Sequence, residues 1–226
     1  GGSTTPASFA GDVPKVERRS VRAADLSRYL ATYGGGDCFY LDPIVVADNR
    51  VVTEGFGRSI VPFEALDDDF RNRHGFEADI RLRQVSEAQC PALDFLTRTR
   101  GEGQTGVRLE VAGARVKAGD FVAGMAGGTP GSFVSVVVVG DDGTARVVSP
   151  AAAADKAPVS FVLPAEPVEG VGRPRLVLAL ASDRSLPTLT NDQPQPVSAL
   201  LERVAKDATQ SGSKLASTAR YVVIER

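Results

Sequence analysis

Apolar residues recur along this chain with two different periods, and the change from one to the other falls near residue 100. From Ala23 onward Leu26, Tyr29, Leu30 and Tyr33 lie at i, i+3, i+4 and i+7, one face of a helix that the Gly34-Gly35-Gly36 run ends. CFYLDPIVV and RVVTEGFG then read as two strands joined by Ala47-Asp48-Asn49, a hairpin. Pro62 opens a second helix with Phe63, Leu66 and Phe70 on one stripe and Gly75 as its stop. From Phe76 to Leu82 the pattern alternates: Phe76, Ala78, Ile80 and Leu82 face one way, Glu77, Asp79, Arg81 and Arg83 the other, as in a half-buried strand. Ser86 and Gln89 form a capping-box pattern ahead of a third helix that carries Leu93 and Leu96 inward, with Pro91 setting its start a few residues on. Residues 21–100 are thus expected to form a small α-β-β-α-β-α unit, a size at which a single core is thin.

The stretch RGEGQTG breaks this pattern, and residues 101–106 read as a linker. Beyond it strands dominate: Val107–Val111, Asp120–Gly124, Ser132–Val139, Ala145–Val148, Val159–Leu163, Arg175–Ala181 and Arg220–Glu225, with Asp141-Asp142-Gly143 as a hairpin turn. One helix is expected, at Val197–Ala208, with Leu200, Leu201 and Val204 as its stripe. FVSVVVV and LVLALA are apolar at nearly every position, which marks strands covered on both faces, by a second sheet or by the late helix. The expected fold class is α+β: the small unit followed, over residues 107–226, by a mostly antiparallel β-sandwich with one helix. Residues 1–20, with Gly1-Gly2-Ser3 at their head, read as a tag scar and linker.

Composition narrows the function classes. Of 226 residues, 42% are hydrophobic and 24% charged, as in an ordinary globular chain. The net charge of −2 leaves no field to draw it onto nucleic acid, whose binders carry a basic face or a pI above about 9. No apolar run approaches the ~18 residues of a membrane span, so attachment to a membrane is expected only through a segment upstream of the sequence given. Arg far outnumbers Lys and Ala and Gly abound, a bias of GC-rich bacterial genomes.

Chemistry-bearing residues are few. Cys38 and Cys90 read either as a disulfide in an exported domain or as two buried free thiols in a reducing compartment. The thin core favours the bridge, which would add about 4 kcal/mol by closing a long loop. The sole histidine, His74, sits at a helix end, where a positive charge suits the dipole. One His and two Cys without C-x-x-C spacing do not make a zinc site, and Asp67-Asp68-Asp69 point about 100° apart on a helix, so no metal and no cofactor are expected. Asp42 and Glu54 could pair as carboxylates, but their separation is not legible in sequence. GMAGGTPG lacks the G-K-[ST] continuation of a phosphate loop and reads as a turn between strands. No G-x-S-x-G or S-x-x-K is present, and no catalytic residue is assigned.

Lys117, Gly119, Asp120, Asp142, Gly143 and Pro150 fall in the pattern of a K-x-G-D strand, a hydrophobic run, D-G and a closing polar-Pro. In this the second half resembles a β-rich family of unknown function found C-terminal to bacterial caspase-like and serine/threonine kinase domains. The segments GGDCFYLDPI, EGFG, FEADIRLRQV and QCPALDFL resemble the region between the transmembrane segment and that β-domain in rhizobial-type membrane kinases. In outline the first unit is also similar to periplasmic lipid-binding modules of the BON kind. The resemblance implies the exported half of a signalling receptor, without the kinase signatures themselves.

The expected function is a non-catalytic, periplasmic or otherwise extracytoplasmic sensing or protein-interaction module, its partner an envelope protein or a small ligand. A structural accessory of an envelope or secretion assembly, and a hydrolase of an unrecognised class, are the alternatives. Contact residues are expected in a groove between the two units: Phe39 and Tyr40, Glu54 and Phe56 of the EGFG turn, and Gly127 and Gly128.

Overall fold

Helix α1 (Ala23–Thr32) turns Leu26 and Leu30 into the protein, and its first turn is held by the hairpin that follows it. The turn residues Asp48 and Asn49 accept hydrogen bonds from the backbone N–H of Ala23 (2.8 Å) and Val21 (2.9 Å). Asn49 also takes the left-handed conformation, φ 58°, which asparagine tolerates in turns. This is a computed structural model, and it describes residues 20–100, 106–153, 158–166 and 172–225. The linker readings for residues 1–19 and 101–105 lie outside these.

The hairpin strands β1 (Phe39–Ala47) and β2 (Arg50–Gly57) pair antiparallel, with a bulge at Ile44. Helix α2 (Val61–His74) crosses over to β3 (Asp79–Gln84), parallel to β2, and stops at Gly75 in the left-handed region. The capping box at Ser86 and Gln89 is formed, on a single 3-10 turn (Glu87–Gln89) that runs into α3 (Cys90–Thr99). The α-β-β-α-β-α order is therefore as the periodicity predicts. The third strand starts later than the alternation suggests, because pairing with β2 begins at Asp79; Phe76, Ala78 and Ile80 pack inward, while Leu82 is 37% exposed.

The second half is built of two sheets. β4 (Arg108–Val111), β6 (Phe121–Gly127) and β9 (Val159–Pro164) form a three-stranded antiparallel sheet. The other, of six strands, runs in the order β11 (Gln195–Pro196), β8 (Thr144–Ala153), β7 (Phe133–Val139), β10 (Arg173–Ser182), β12 (Leu215–Glu225), β5 (Arg115–Lys117). All its pairs are antiparallel except β12 with β5. Helix α4 (Val197–Ser211) lies on it, ended by Gly212 in the left-handed region.

The apolar runs are covered on both faces, as their composition predicts. Along β10, Leu176, Leu178 and Leu180 face α3 and α4, whereas Val177, Ala179 and Ala181 face the three-stranded sheet with Leu109, Val122 and Phe161. The largest cluster of buried residues crosses the 101–106 segment: Tyr40, Phe56, Leu93 and Leu96 share it with Val137, Leu178, Leu200 and Val204. Polar ties follow the same seam. Gln89, wholly buried, donates its amide to the carbonyl oxygens of Val139 and Pro174, and the Tyr221 hydroxyl donates to the carbonyl of Gln84 at 2.7 Å. The first sheet is thus enclosed on both sides, with α1 and α2 over Phe39, Leu41 and Val51, and α3 and β12 against Tyr40 and Phe56.

Cys38 and Cys90 are joined in a disulfide, with Cα atoms 4.7 Å apart. It links the start of β1 to the start of α3, and Cys38 reaches it from the left-handed region, φ 55°.

Candidate functional site

The inward stripe of α1 places Tyr29 against the end of α2, where His74 is the last helical residue before Gly75. The two rings meet edge to face, centroids 5.0 Å apart and planes at 85°, beside Phe70 and Phe76. The guanidinium of Arg73 lies over the Tyr29 ring, 5.4 Å from its centroid. Tyr29, Arg73 and His74, together with Ser20, Val21, Asp25, Arg28 and Thr32, line a cavity of about 480 Å³.

Two polar atoms in this wall have nothing to bond. The Tyr29 hydroxyl and His74 Nε2 are both shielded from solvent and lack a hydrogen-bond partner among the described residues. A shielded polar atom left unpaired costs about 1–3 kcal/mol, so this junction of α1 and α2 is held against a local energetic cost. The charges around them are unevenly spent. Asp25 is paired with Arg22 at 3.2 Å and with Arg28 at 3.5 Å, while no carboxylate reaches Arg73 among the described residues.

Burial pushes the His74 pKa below its ordinary value, and Arg73 pushes the same way against a smaller opposing pull from Asp25. Both disfavour the imidazolium, in opposition to the helix dipole, which favours it. Burial and the Asp69 carboxylate raise Tyr29, and Tyr33, whose hydroxyl donates to Asp69 at 3.4 Å, is pushed up to about 12. Both phenols stay protonated and can donate.

The aliphatic hydroxyls lining the cavity are engaged elsewhere. Thr32 donates to the carbonyl of Arg28 at 2.9 Å, and Ser20 accepts from the Asn49 amide at 3.3 Å. Among the described residues no hydroxyl or thiol is hydrogen-bonded to His74, so a nucleophile-base relay is not assembled there. What the lining offers is two guanidinium groups and the Asp25 carboxylate, beside the Tyr29 and His74 rings, around a space of small-molecule size.

The contact residues expected from sequence lie elsewhere. Phe39 and Tyr40 are each 4% exposed and Phe56 0%, so all three serve the core. Phe39 stacks on Phe63, and Tyr40 lies between Phe56 and the Arg100 guanidinium. Both faces of the first sheet are covered, and that is why neighbouring residues of one strand are buried together. Glu54 does stand opposite Asp42 in the register, but each is committed to an arginine: Glu54 to Arg83 at 2.6 Å, Asp42 to Arg220. Gly127 ends β6 and Gly128 follows it, on the three-stranded sheet. A Cβ at Gly128 would stand 2.3 Å from Ser132 Oγ, so the glycine there admits a close turn. These residues do not converge on one groove.

Sequence reasoning placed Tyr29 on the inward face and His74 at the helix end but did not bring them together. The usable signal was a tyrosine on a core stripe, since its hydroxyl must find a partner or a cavity. Among the described residues no cluster of three or more His, Cys, Asp or Glu is placed to hold a metal ion. A second concavity, about 420 Å³, lies on the outer face of the three-stranded sheet, where Phe121, Met125 and Val162 are exposed.

No family model matches the chain, and no curated protein or solved structure matches it either.

Proposed function

We propose that this chain is a non-catalytic, extracytoplasmic binding module of a bacterial envelope protein, and that it takes a small ligand in the cavity between α1 and α2. The observation that carries the reading is the cavity of about 480 Å³ itself, bordered by Tyr29, His74 and the Arg73 guanidinium, which no carboxylate engages among the described residues. The disulfide supports the compartment, because such bonds persist in oxidising surroundings and are rare in the cytosol. No helix among the described residues is long and apolar enough to cross a membrane. The resemblance of residues 108–150 to a β-domain appended to kinases is the support for a signalling role. Thermal-shift screening against small envelope fragments tests it: a ligand that raises the melting temperature of the wild-type chain and not of Arg73→Gln is expected. A panel that shifts neither protein counts against ligand sensing.

The exposed Phe121, Met125 and Val162 favour a second reading, a structural accessory held by a protein partner on that sheet face. A partner whose binding is lost in Phe121→Ser and kept in Arg73→Gln would select it.

A further inference from the structure

β3 is the outer strand of the first sheet, and no strand pairs with its free side among the described residues. The opposite edge, β1, is blunted by Pro43 and by the bulge beside it. β3 carries neither device. An unblunted edge is a row of unused N–H and C=O groups that another strand can take up.

The residues along this edge select the strand that fits. Glu77-Ala78-Asp79-Ile80-Arg81-Leu82-Arg83 alternates charged and apolar positions, and its charges change sign at Ile80, acids before and bases after. Turned end for end, the segment complements itself. Glu77 falls opposite Arg83, Ala78 opposite Leu82, Asp79 opposite Arg81, and Ile80 opposite its own copy. We infer that this edge pairs with the same edge of a second copy of the chain, antiparallel and related by a two-fold axis at Ile80, so that two three-stranded sheets become one of six strands.

Charge fixes the register. Opposite charges facing across antiparallel strands stabilise the pairing, and like charges oppose it. A slip of two residues sets Arg81 against Arg81 or Asp79 against Asp79, and a slip of one sets charged residues against apolar ones. The side chains are also available. Asp79 and Arg81 are half-exposed and paired with each other at 3.2 Å, while Glu77 is exposed, 3.9 Å from Arg71. Exposed pairs of this kind contribute little and are readily exchanged. Arg83 gives Nε and Nη2 to Glu54, which leaves Nη1 for Glu77 of the second copy. Leu82, 37% exposed in the single chain, gains cover from Ala78 across the axis. Gln84, whose carbonyl accepts from Tyr221, lies just past the paired segment.

Sedimentation equilibrium of the full chain, from micromolar to millimolar concentration, tests the pairing. Wild type is expected to show a monomer–dimer equilibrium that weakens as salt is raised. Asp79→Arg sets like charges against each other on both sides of the axis and is expected to weaken dimerisation about tenfold or more, as is Arg81→Asp. The double variant Asp79→Arg/Arg81→Asp restores complementarity, as does an equimolar mixture of the two single variants, and both are expected to dimerise like wild type. Circular dichroism confirms that each variant folds. The register has its own readout. In Ile80→Cys the new thiols face each other at a Cα separation of about 4.5–5.5 Å, within disulfide reach, so mild oxidation is expected to link the dimer. Glu77→Cys, about 20 Å from its own copy, is expected to stay unlinked. A wild type that stays monomeric throughout, a dimer that Asp79→Arg leaves intact, a double variant no stronger than the single ones, or an Ile80→Cys chain that does not cross-link overturns the inference.

Discussion

Gln89 donates its side-chain amide to the carbonyl oxygen of Val139, 3.3 Å away, and so ties the turn before α3 to the central strand β7. The same amide donates to Pro174, and its carbonyl oxygen accepts from the backbone of Ser86 at 3.1 Å. A wholly buried glutamine is tolerated because each of its polar atoms is used. Gln89→Leu keeps the volume but strands those partners, and is expected to cost about 1–3 kcal/mol. Urea denaturation measures it, and wild type and variant should each unfold in one transition of unchanged slope. Two resolved transitions in the wild type would contradict a core shared across the 101–106 segment.

The disulfide joins residues that both touch that shared cluster. Reduction should therefore lower the stability of the whole molecule, not only of the first segment, by up to about 4 kcal/mol. Intact mass before and after reductant should differ by two hydrogens. Free thiols in untreated protein would remove both the bridge and the compartment argued from it.

His74 supplies a pH dependence with a definite sign. Its folded pKa is lowered from 6.5, so the unfolded chain binds the proton more readily. The associated stability is whole above that value and is lost as pH falls through the folded pKa. Between pH 8 and 5 wild type should lose stability relative to His74→Gln, followed by melting temperature. A difference that stays constant across that range would exclude the lowered imidazole pKa.

Gly55 lies under the ring of Phe63: a Cβ there would stand 2.4 Å from the ring. Gly55→Ala should cost about 1–3 kcal/mol through displacement of Phe63. In Phe63→Leu the same change should cost less, and additive effects in the double variant would show that the ring is not the obstacle.

The fold was legible where one period runs long enough to be counted. The stripe of α4, the unbroken apolar run of β10 and the turn at Asp141-Asp142-Gly143 each predict their element locally. β5 and β11, three and two residues long, have no period to read and exist only because β12 and β8 offer them an edge. The covering of the first sheet was equally invisible. Its strands carry three buried residues in a row, Phe39 to Leu41 and Val51 to Thr53, and aromatic residues that look available in sequence are core for that reason. The disulfide could be argued from composition and core size. The cavity could not, because Tyr29 and His74 come from two helices whose approach is set by Phe63, Leu66 and Phe70 packing on Leu26 and Leu30.

The order of strands also constrains the route to the native state. β12, the last element described, is inserted between β10 and β5, and β5 precedes it by about a hundred residues. Tyr221 and Arg220 on that strand then fasten the first sheet. Contacts so distant along the chain form slowly, since a long loop must close before they contribute. A chain emerging from a ribosome or an export channel could assemble helices and the first hairpin early, yet its largest core stays open until residues 215–225 arrive. The molecule is in this sense locked by its last strand.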